Sequence, residues 1–279
     1  MQRENTLRKR LHSQETLSET ISAMKSLAAH HFREARSALP SARAYRTGID
    51  QALAAVGLHQ LVRPGHTAAI LLIAADLGLC GGYNSRLSCT AVEHHKTLCA
   101  QRVYCVGHRP LSAFRRAGIN IDRSYNSPTS VAGLTGTLLH LSEDLLDDYL
   151  NDRFSTLTVI SARFDGVGEF TPVNTRLLPV DIPDSDSSIQ PSMYVAIDHL
   201  AAVAVREYLY IRLFQTALNS LASEHSARLV ATESAGSWLA EKTASARRQL
   251  ASIRREAATQ EVLDIAATAR RRNRRAERH

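Results

Sequence analysis

From residue 192 to 275 the chain carries no proline and a single glycine, Gly236. Few folds accommodate such a stretch. Read as one helix it spans roughly 120 Å at about 1.5 Å per residue, far longer than an ordinary globular helix, and it implies a coiled coil or a shaft. Its first half is strongly apolar, with Val195, Ile197, Leu200, Leu209, Ile211, Leu213, Phe214, Leu218 and Leu221. Its second half thins to Ala, Ser, Thr and Arg. A helix that starts buried and ends polar all round is leaving its own core, and it needs another surface, or water, around it.

The opposite end of the chain offers a mate. Small or apolar residues recur at Ile21, Met24, Ala28, Ala35, Ala38, Ala42, Tyr45, Ile49, Ala52 and Val56, with His31 filling the one gap. Alternating steps of three and four make a heptad seam. Leu7, Leu11 and Leu17 extend it loosely toward the start. As one helix, residues 3–57 span roughly 80 Å. Alanine at many seam positions lets a partner helix approach closely. Pro40 is expected to kink or break the helix, and Gly57 and Pro64-Gly65 to end it.

Between these segments the pattern changes. Ala69–Ala75 reads as a buried strand closed by the loop 76–82. A helix is expected over Asn84–Ala100, a second strand over Gln101–Val106 and a short helix over Leu111–Ala117. Further strands are expected at Ile119–Ser124, Leu157–Ala162 and Thr171–Leu178, with a helix at Thr137–Leu150. The alternation argues for an α/β layer domain with a largely parallel sheet. Asp181–Pro191, rich in Asp, Ser and Pro, reads as a linker. The fold class is therefore α/β: a long antiparallel coiled coil of N- and C-terminal helices (1–62 and 192–279) with an inserted Rossmann-like domain (66–182). Antiparallel packing is the simplest, because the insertion returns the chain near where it left.

The balance of charge is +7, with its excess at the C-terminus in Arg270-Arg271-Arg272-Asn273-Arg274-Arg275. A basic chain suits an acidic partner surface. The four cysteines, Cys80, Cys89, Cys99 and Cys105, form no C-x-x-C pair, which argues against a zinc site and for a reducing compartment. No apolar run reaches the roughly 18 residues that span a bilayer, and the first ten residues lack the apolar core of a secretory signal.

Several residues invite a chemical reading. Gly78, Gly81 and Gly82 follow a strand and precede a helix, as phosphate-cradling glycines do. The G-x-G-x-x-G and G-x-x-x-x-G-K-[ST] spacings are absent, so a tight turn with positive φ is the expectation. Cys80 has no evident histidine to activate it and reads as a small buried residue. His30-His31 and His94-His95 are adjacent pairs, which on a helix point in different directions and suit one metal poorly. Glu143, Asp144, Asp147 and Asp148 read as a solvated helix face rather than a catalytic carboxylate pair.

The chain as a whole resembles the γ subunit of F-type ATP synthases, over nearly its full length. Ala23-Met24-Lys25-Ser26-Leu27-Ala28-Ala29 with Arg33 and Ala35 is similar to the family's first-helix signature. Asp76-Leu77-Gly78-Leu79-Cys80-Gly81-Gly82-Tyr83-Asn84 is similar to its glycine-rich loop. Thr158-Val159-Ile160-Ser161 with Phe164, then Leu177-Leu178-Pro179, resembles later strands. Leu221-Ala222-Ser223-Glu224-His225 with Arg228 resembles the middle of the last helix, and Ala258-Thr259-Gln260-Glu261 the end of the C-terminal signature. Departures stand at His31, where the family usually has lysine, at Leu77 in place of arginine, and at Ala251, Arg255 and Ala258 in place of asparagine, glutamine and isoleucine. With the arginine-rich tail they point to a divergent bacterial branch, of the sodium- or proton-pumping kind carried beside a main enzyme.

The resemblance implies a non-catalytic rotor shaft, without cofactor or metal, coupling c-ring rotation to ATP synthesis or hydrolysis on the β subunits of an α3β3 hexamer. Its partners would be α, β, ε and the c-ring, with no nucleic acid, at the cytoplasmic face of the bacterial inner membrane. The rotor–stator contacts it implies are Met24, Lys25, Arg254, Arg255, Thr259, Gln260 and Glu261. Two rivals remain at this point: a basic helical nucleic-acid-binding protein, which lacks interleaved aromatic and basic residues, and a nucleotide-dependent enzyme on the α/β domain, for which fold analogy is no warrant.

Overall fold

The computed structural model describes residues 2–55, 60–61, 65–181 and 197–276. Two long helices, α1 (Gln2–Ala55) and α5 (Ile197–Ala276), flank a sheet with three shorter helices. The residues group into two compact units, Met1–Met24 with Thr232–His279, and Lys25–Ala231.

The larger unit holds the sheet. Its strands are β2 (Ala68–Ile73), β3 (Arg102–Val106), β4 (Arg123–Tyr125), β5 (Thr156–Gly166) and β6 (Glu169–Leu178), interleaved with α2 (Tyr83–Leu98), α3 (Leu111–Arg116) and α4 (Val131–Leu150). The order is β4-β3-β2-β5-β6. β2, β3, β4 and β5 are parallel, and β6 turns back antiparallel on β5 as a hairpin. The helical crossovers that parallel pairing requires are supplied by α2, α3 and α4. Side chains alternate between two covered faces. Ala69, Leu71, Ile73, Tyr104, Leu157 and Val159 join α4 and the long helices in one core. Ile70, Leu72, Val103, Cys105, Ile160 and Ala162 join α2 and α3 in the other. Gln60–Leu61 (β1) pairs antiparallel with Val180–Asp181 (β7), so the chain enters and leaves the α/β body side by side.

Local boundaries differ from expectation where local signals mislead. α4 begins six residues early, at Val131, because Ser130 accepts a hydrogen bond from the Gly133 amide and caps the helix despite Gly133 and Gly136. β4 lies later than Ile119–Ser124. Pro40 neither breaks nor ends α1; it sits on the exposed face, flanked by the buried Leu39 and Ala42 that hold the helix in place. Gly57, Pro64 and the 182–191 part of the expected linker lie outside the described residues, as do the side chains of Val195, Ile197 and Leu200 and of the arginine-rich tail.

The seam needs a larger correction. Within residues 25–55 the buried positions of α1 are Ala28, Phe32, Ala35, Leu39, Ala42, Leu53 and Ala54, while Tyr45 and Ala52 are exposed. Ala28, Ala35 and Ala42 of the expected seam are buried, but its alternate position falls one residue later, at Phe32, Leu39 and Leu53 in place of His31, Ala38 and Ala52, and these bulkier side chains fill the space against the sheet.

In the smaller unit the two helices run antiparallel. Glu15 meets Arg247 at 2.7 Å and Glu4 meets Arg254 at 3.1 Å, while a Cβ on Gly236 would contact Ile21. Among the described residues its buried positions are Leu11, Gln14, Thr232, Leu239 and Ala246.

Candidate functional site

Nine consecutive residues of α5, Ser220–Arg228, are buried. A helix covered on every side within one unit cannot present a purely apolar surface to loops, whose amides and carbonyls need partners. The sequence supplies those partners. Tyr83 Oη donates to the Ser220 carbonyl at 3.0 Å, and Ser220 Oγ accepts from the Ala162 amide at 3.2 Å. Ser226 Oγ accepts from the Gly168 amide at 2.6 Å and donates to the Gly166 carbonyl at 3.3 Å. Arg228 donates to Glu224 at 2.5 Å, to His225 Nδ1 at 3.1 Å and to the Gly78 carbonyl at 3.4 Å. His225 Nε2 lies 2.9 Å from the Thr129 carbonyl. With Nδ1 accepting from an arginine and Nε2 facing a carbonyl, the neutral Nε2–H tautomer satisfies both neighbours. The segment is a polar collar that ties one helix to four loops or strand ends.

Electrostatics agree with that tautomer. Burial, then the Arg228 charge, pulls the His225 pKa down to about 4. Burial raises that of Glu224, opposed by Arg228 beside it. Cys80, within the glycine-rich loop, has its thiol pushed up by burial, which makes it a poor nucleophile. Burial likewise pushes Cys105 up to about 12.

The glycine-rich loop is a structural turn. Gly81 takes φ +56°, and Leu79 takes the same value without being glycine. Gly78 and Gly82 do not use the left-handed region; a Cβ on Gly78 would lie 3.0 Å from the Arg109 guanidinium. Asn84 Oδ1 accepts from the Ala75 amide, and Asp76 accepts from the amides of His108 and Ser127, so the strand-end loops are fastened to one another.

The acidic run on α4 corrects the expectation of a solvated face. Asp148 is buried and accepts from Tyr104 Oη at 2.5 Å, with Arg153 and Arg123 at 3.3 and 3.5 Å. Asp144 pairs with Arg123 and accepts from Tyr125 Oη at 2.7 Å. Burial pushes the Asp144 carboxyl up, but Arg123 and Tyr125 outweigh it and hold it low. Glu143 and Asp147 are exposed. His30 and His31 also converge more than adjacency suggests. Their rings are 5.3 Å apart, and with Glu34 they offer three ligand atoms within 4.8 Å of one another.

The residues singled out for rotor contact separate into groups. Arg254, Arg255, Thr259, Gln260 and Glu261 lie on one stretch of α5, residues 254–267, in which every residue is exposed. Arg255 Nε reaches the Ala251 carbonyl, Thr259 Oγ1 donates to the Arg255 carbonyl, and Gln260 donates to Asp264. Met24 is half-buried and sits about 30 Å back along the pair, opposite the turn before Gly236. Lys25 belongs to the larger unit and is half-buried. Glu4 of α1 meets Arg254, and further along α5 Val262, Leu263 and Ile265 are 65%, 58% and 64% exposed. These three were missed by sequence reasoning, which read the segment as thinning to polar residues; an apolar triplet within the otherwise polar stretch is the signal that finds them.

A mixed α/β sheet body with long N- and C-terminal helices is the fold class of a stalk-type subunit. The ATP synthase family matches residues 3–270. Similar relatives include the ATP synthase gamma chains of Pelotomaculum thermopropionicum, 29% identical over 82% of this chain and 84% of the relative, and of Desulforamulus reducens, 26% identical over 93% and 95%. Among solved structures, the Euglena gracilis mitochondrial ATP synthase rotor matches with a TM-score of 0.62 at 12% identity, covering 91% of this chain and 98% of that one. The Tetrahymena thermophila central stalk and c-ring structure matches with a TM-score of 0.62 at 18% identity, covering 77% and 99%. At such identities these likenesses establish the fold. The chain belongs to the ATP synthase gamma family.

Proposed function

We propose that this chain is the central rotor shaft of an F-type rotary ATP synthase, coupling ion-driven rotation of a c-ring to ATP synthesis or hydrolysis on the β subunits of an α3β3 hexamer. The observation that carries this reading is the exposed stretch 254–267 of α5, where Val262, Leu263 and Ile265 stand exposed. Exposed apolar side chains grouped on a single helix mark a surface that a partner covers. A helix without threefold symmetry favours a different set of open and closed β conformations at each orientation, and that differential contact lets rotation and nucleotide exchange drive each other. Arg254, Arg255, Thr259, Gln260 and Glu261 supply polar contacts on the same stretch, and Met24 and Lys25 a second contact lower on the pair. The α/β body bears on ε and the c-ring. A rotor transmits torque only if its helix cannot turn within its body, which is the mechanical role of the Ser220–Arg228 collar. The chain itself carries no catalytic residue and works as a peripheral subunit at the cytoplasmic face of the bacterial inner membrane.

The combined substitution of Val262, Leu263 and Ile265 by Ser tests this. Helicity of the free chain stays unchanged, because these side chains are exposed among the described residues, while coupled ATP hydrolysis in the assembled complex falls several-fold. Undiminished coupling contradicts the reading.

A further inference from the structure

A cleft of about 370 Å³ opens in the α/β body between Arg46 of α1, strands β5 and β6, and residues 212–219 of α5. Three of its lining residues are arginines, Arg46, Arg163 and Arg212, and none is a carboxylate. Arg163 is exposed and paired with Asp165 at 2.9 Å, and Arg46 approaches Asp50 at 3.3 Å. Arg212 is half-buried, and among the described residues its guanidinium makes no hydrogen bond or ion pair; it lies over the face of Tyr208, 5.5 Å away. Arg46 Nε and Asp50 Oδ1 are buried without a hydrogen-bond partner of good geometry. Of the rest of the lining, Thr175 offers a hydroxyl and Asn174 the second proton of its amide, the first facing His94 Nε2 at 2.8 Å, whereas Thr216 Oγ1 already donates to the Arg212 carbonyl and Asn219 Nδ2 to the Gln215 carbonyl.

A buried donor without a hydrogen-bond partner, Arg46 Nε, beside the unpaired Arg212 guanidinium calls for a ligand or water. A guanidinium fork matches the oxygens of a phosphate group and gives charge-assisted bonds stronger than neutral ones. We propose that this cleft binds a phosphate group, held by Arg212 and Arg46 with Thr175 and Asn174 at its rim. The volume exceeds what one phosphate fills, so the group arrives either as free inorganic phosphate or as the phosphoryl end of a nucleotide. The site goes beyond the rotor role and stands or falls separately from it, since it needs neither the helix end nor a partner subunit.

The test is calorimetric titration of the full chain with inorganic phosphate and with ADP, at ionic strength held constant with sodium chloride. Binding of either above the chloride baseline is expected. Arg212→Gln removes a charge with no internal partner, and Thr175→Asp places a carboxylate in the cleft where no hydrogen bond is lost. Each is expected to weaken binding by about tenfold or more, the loss of one charge-assisted bond, while Arg116→Gln on the exposed face of α3 leaves it unchanged. Phosphate binding as tightly as ADP identifies the free ion; ADP binding tenfold tighter identifies the nucleotide. No binding above chloride, or equal weakening by Arg116→Gln, overturns the proposal.

Discussion

At the scale of single residues, the collar makes the chain sensitive to acid. His225 is held neutral, with its pKa lowered from 6.5 to about 4 by burial and Arg228. Between those values the unfolded chain binds a proton that the folded chain refuses. The contribution is therefore complete above pH 6.5 and lost as pH falls toward 4, a swing of about 3 kcal/mol for a fully buried ring. Glu224, raised by burial, acts in the opposite sense and reduces the net slope. His225→Gln is expected to flatten the fall of stability between pH 6.5 and 4 in urea titrations; an unchanged slope would place the sensitivity elsewhere. Asp148→Ala strips Tyr104 Oη of its acceptor and is expected to cost about 3 kcal/mol, read as a lowered midpoint of thermal unfolding. Neither role was legible in the sequence. Glu224-His225 with Arg228 was recognised only as a family likeness, and Asp148 as part of a solvated run. What decides them is burial among partners distant in the chain, the Gly78 and Thr129 carbonyls and the Tyr104 hydroxyl, which no local spacing encodes.

At the scale of elements, the strand-end loops depend on glycine unequally. Gly107 has φ +101°, and a Cβ there would sit 2.7 Å from the Ala74 carbonyl oxygen, so both conformation and backbone forbid a side chain. Gly81 has φ +56° with open space around it. Gly107→Ala is expected to destabilise by at least about 2 kcal/mol, and Gly81→Ala by about 1 kcal/mol, the left-handed strain alone. Equal costs in denaturant unfolding would contradict the contrast. The elements were largely readable, because a long proline-free run, an apolar strand such as 68–73 and β-α alternation are strong periodic signals. The burial seam of α1 was less so: alanines mark where another helix approaches closely, while Phe32, Leu39 and Leu53 mark where a sheet does, and one helix serves both.

At the scale of the whole molecule, the two units divide the work. The body of residues 25–231 fixes α5 through the collar, and the helix pair of the other unit carries the uncovered 254–267 stretch. The great length of the C-terminal helix followed from its proline-free run alone; that its exposed 254–267 stretch keeps Val262, Leu263 and Ile265 required the burial of each position. The central claim is that this chain turns inside an α3β3 hexamer. It is tested most directly by tagging the chain at its N-terminus in its native host, solubilising the membranes gently and quantifying what co-purifies. The account predicts α and β in threefold excess over this chain, together with ε and c. Recovery of nucleic acid, or of the folded chain alone, would contradict it.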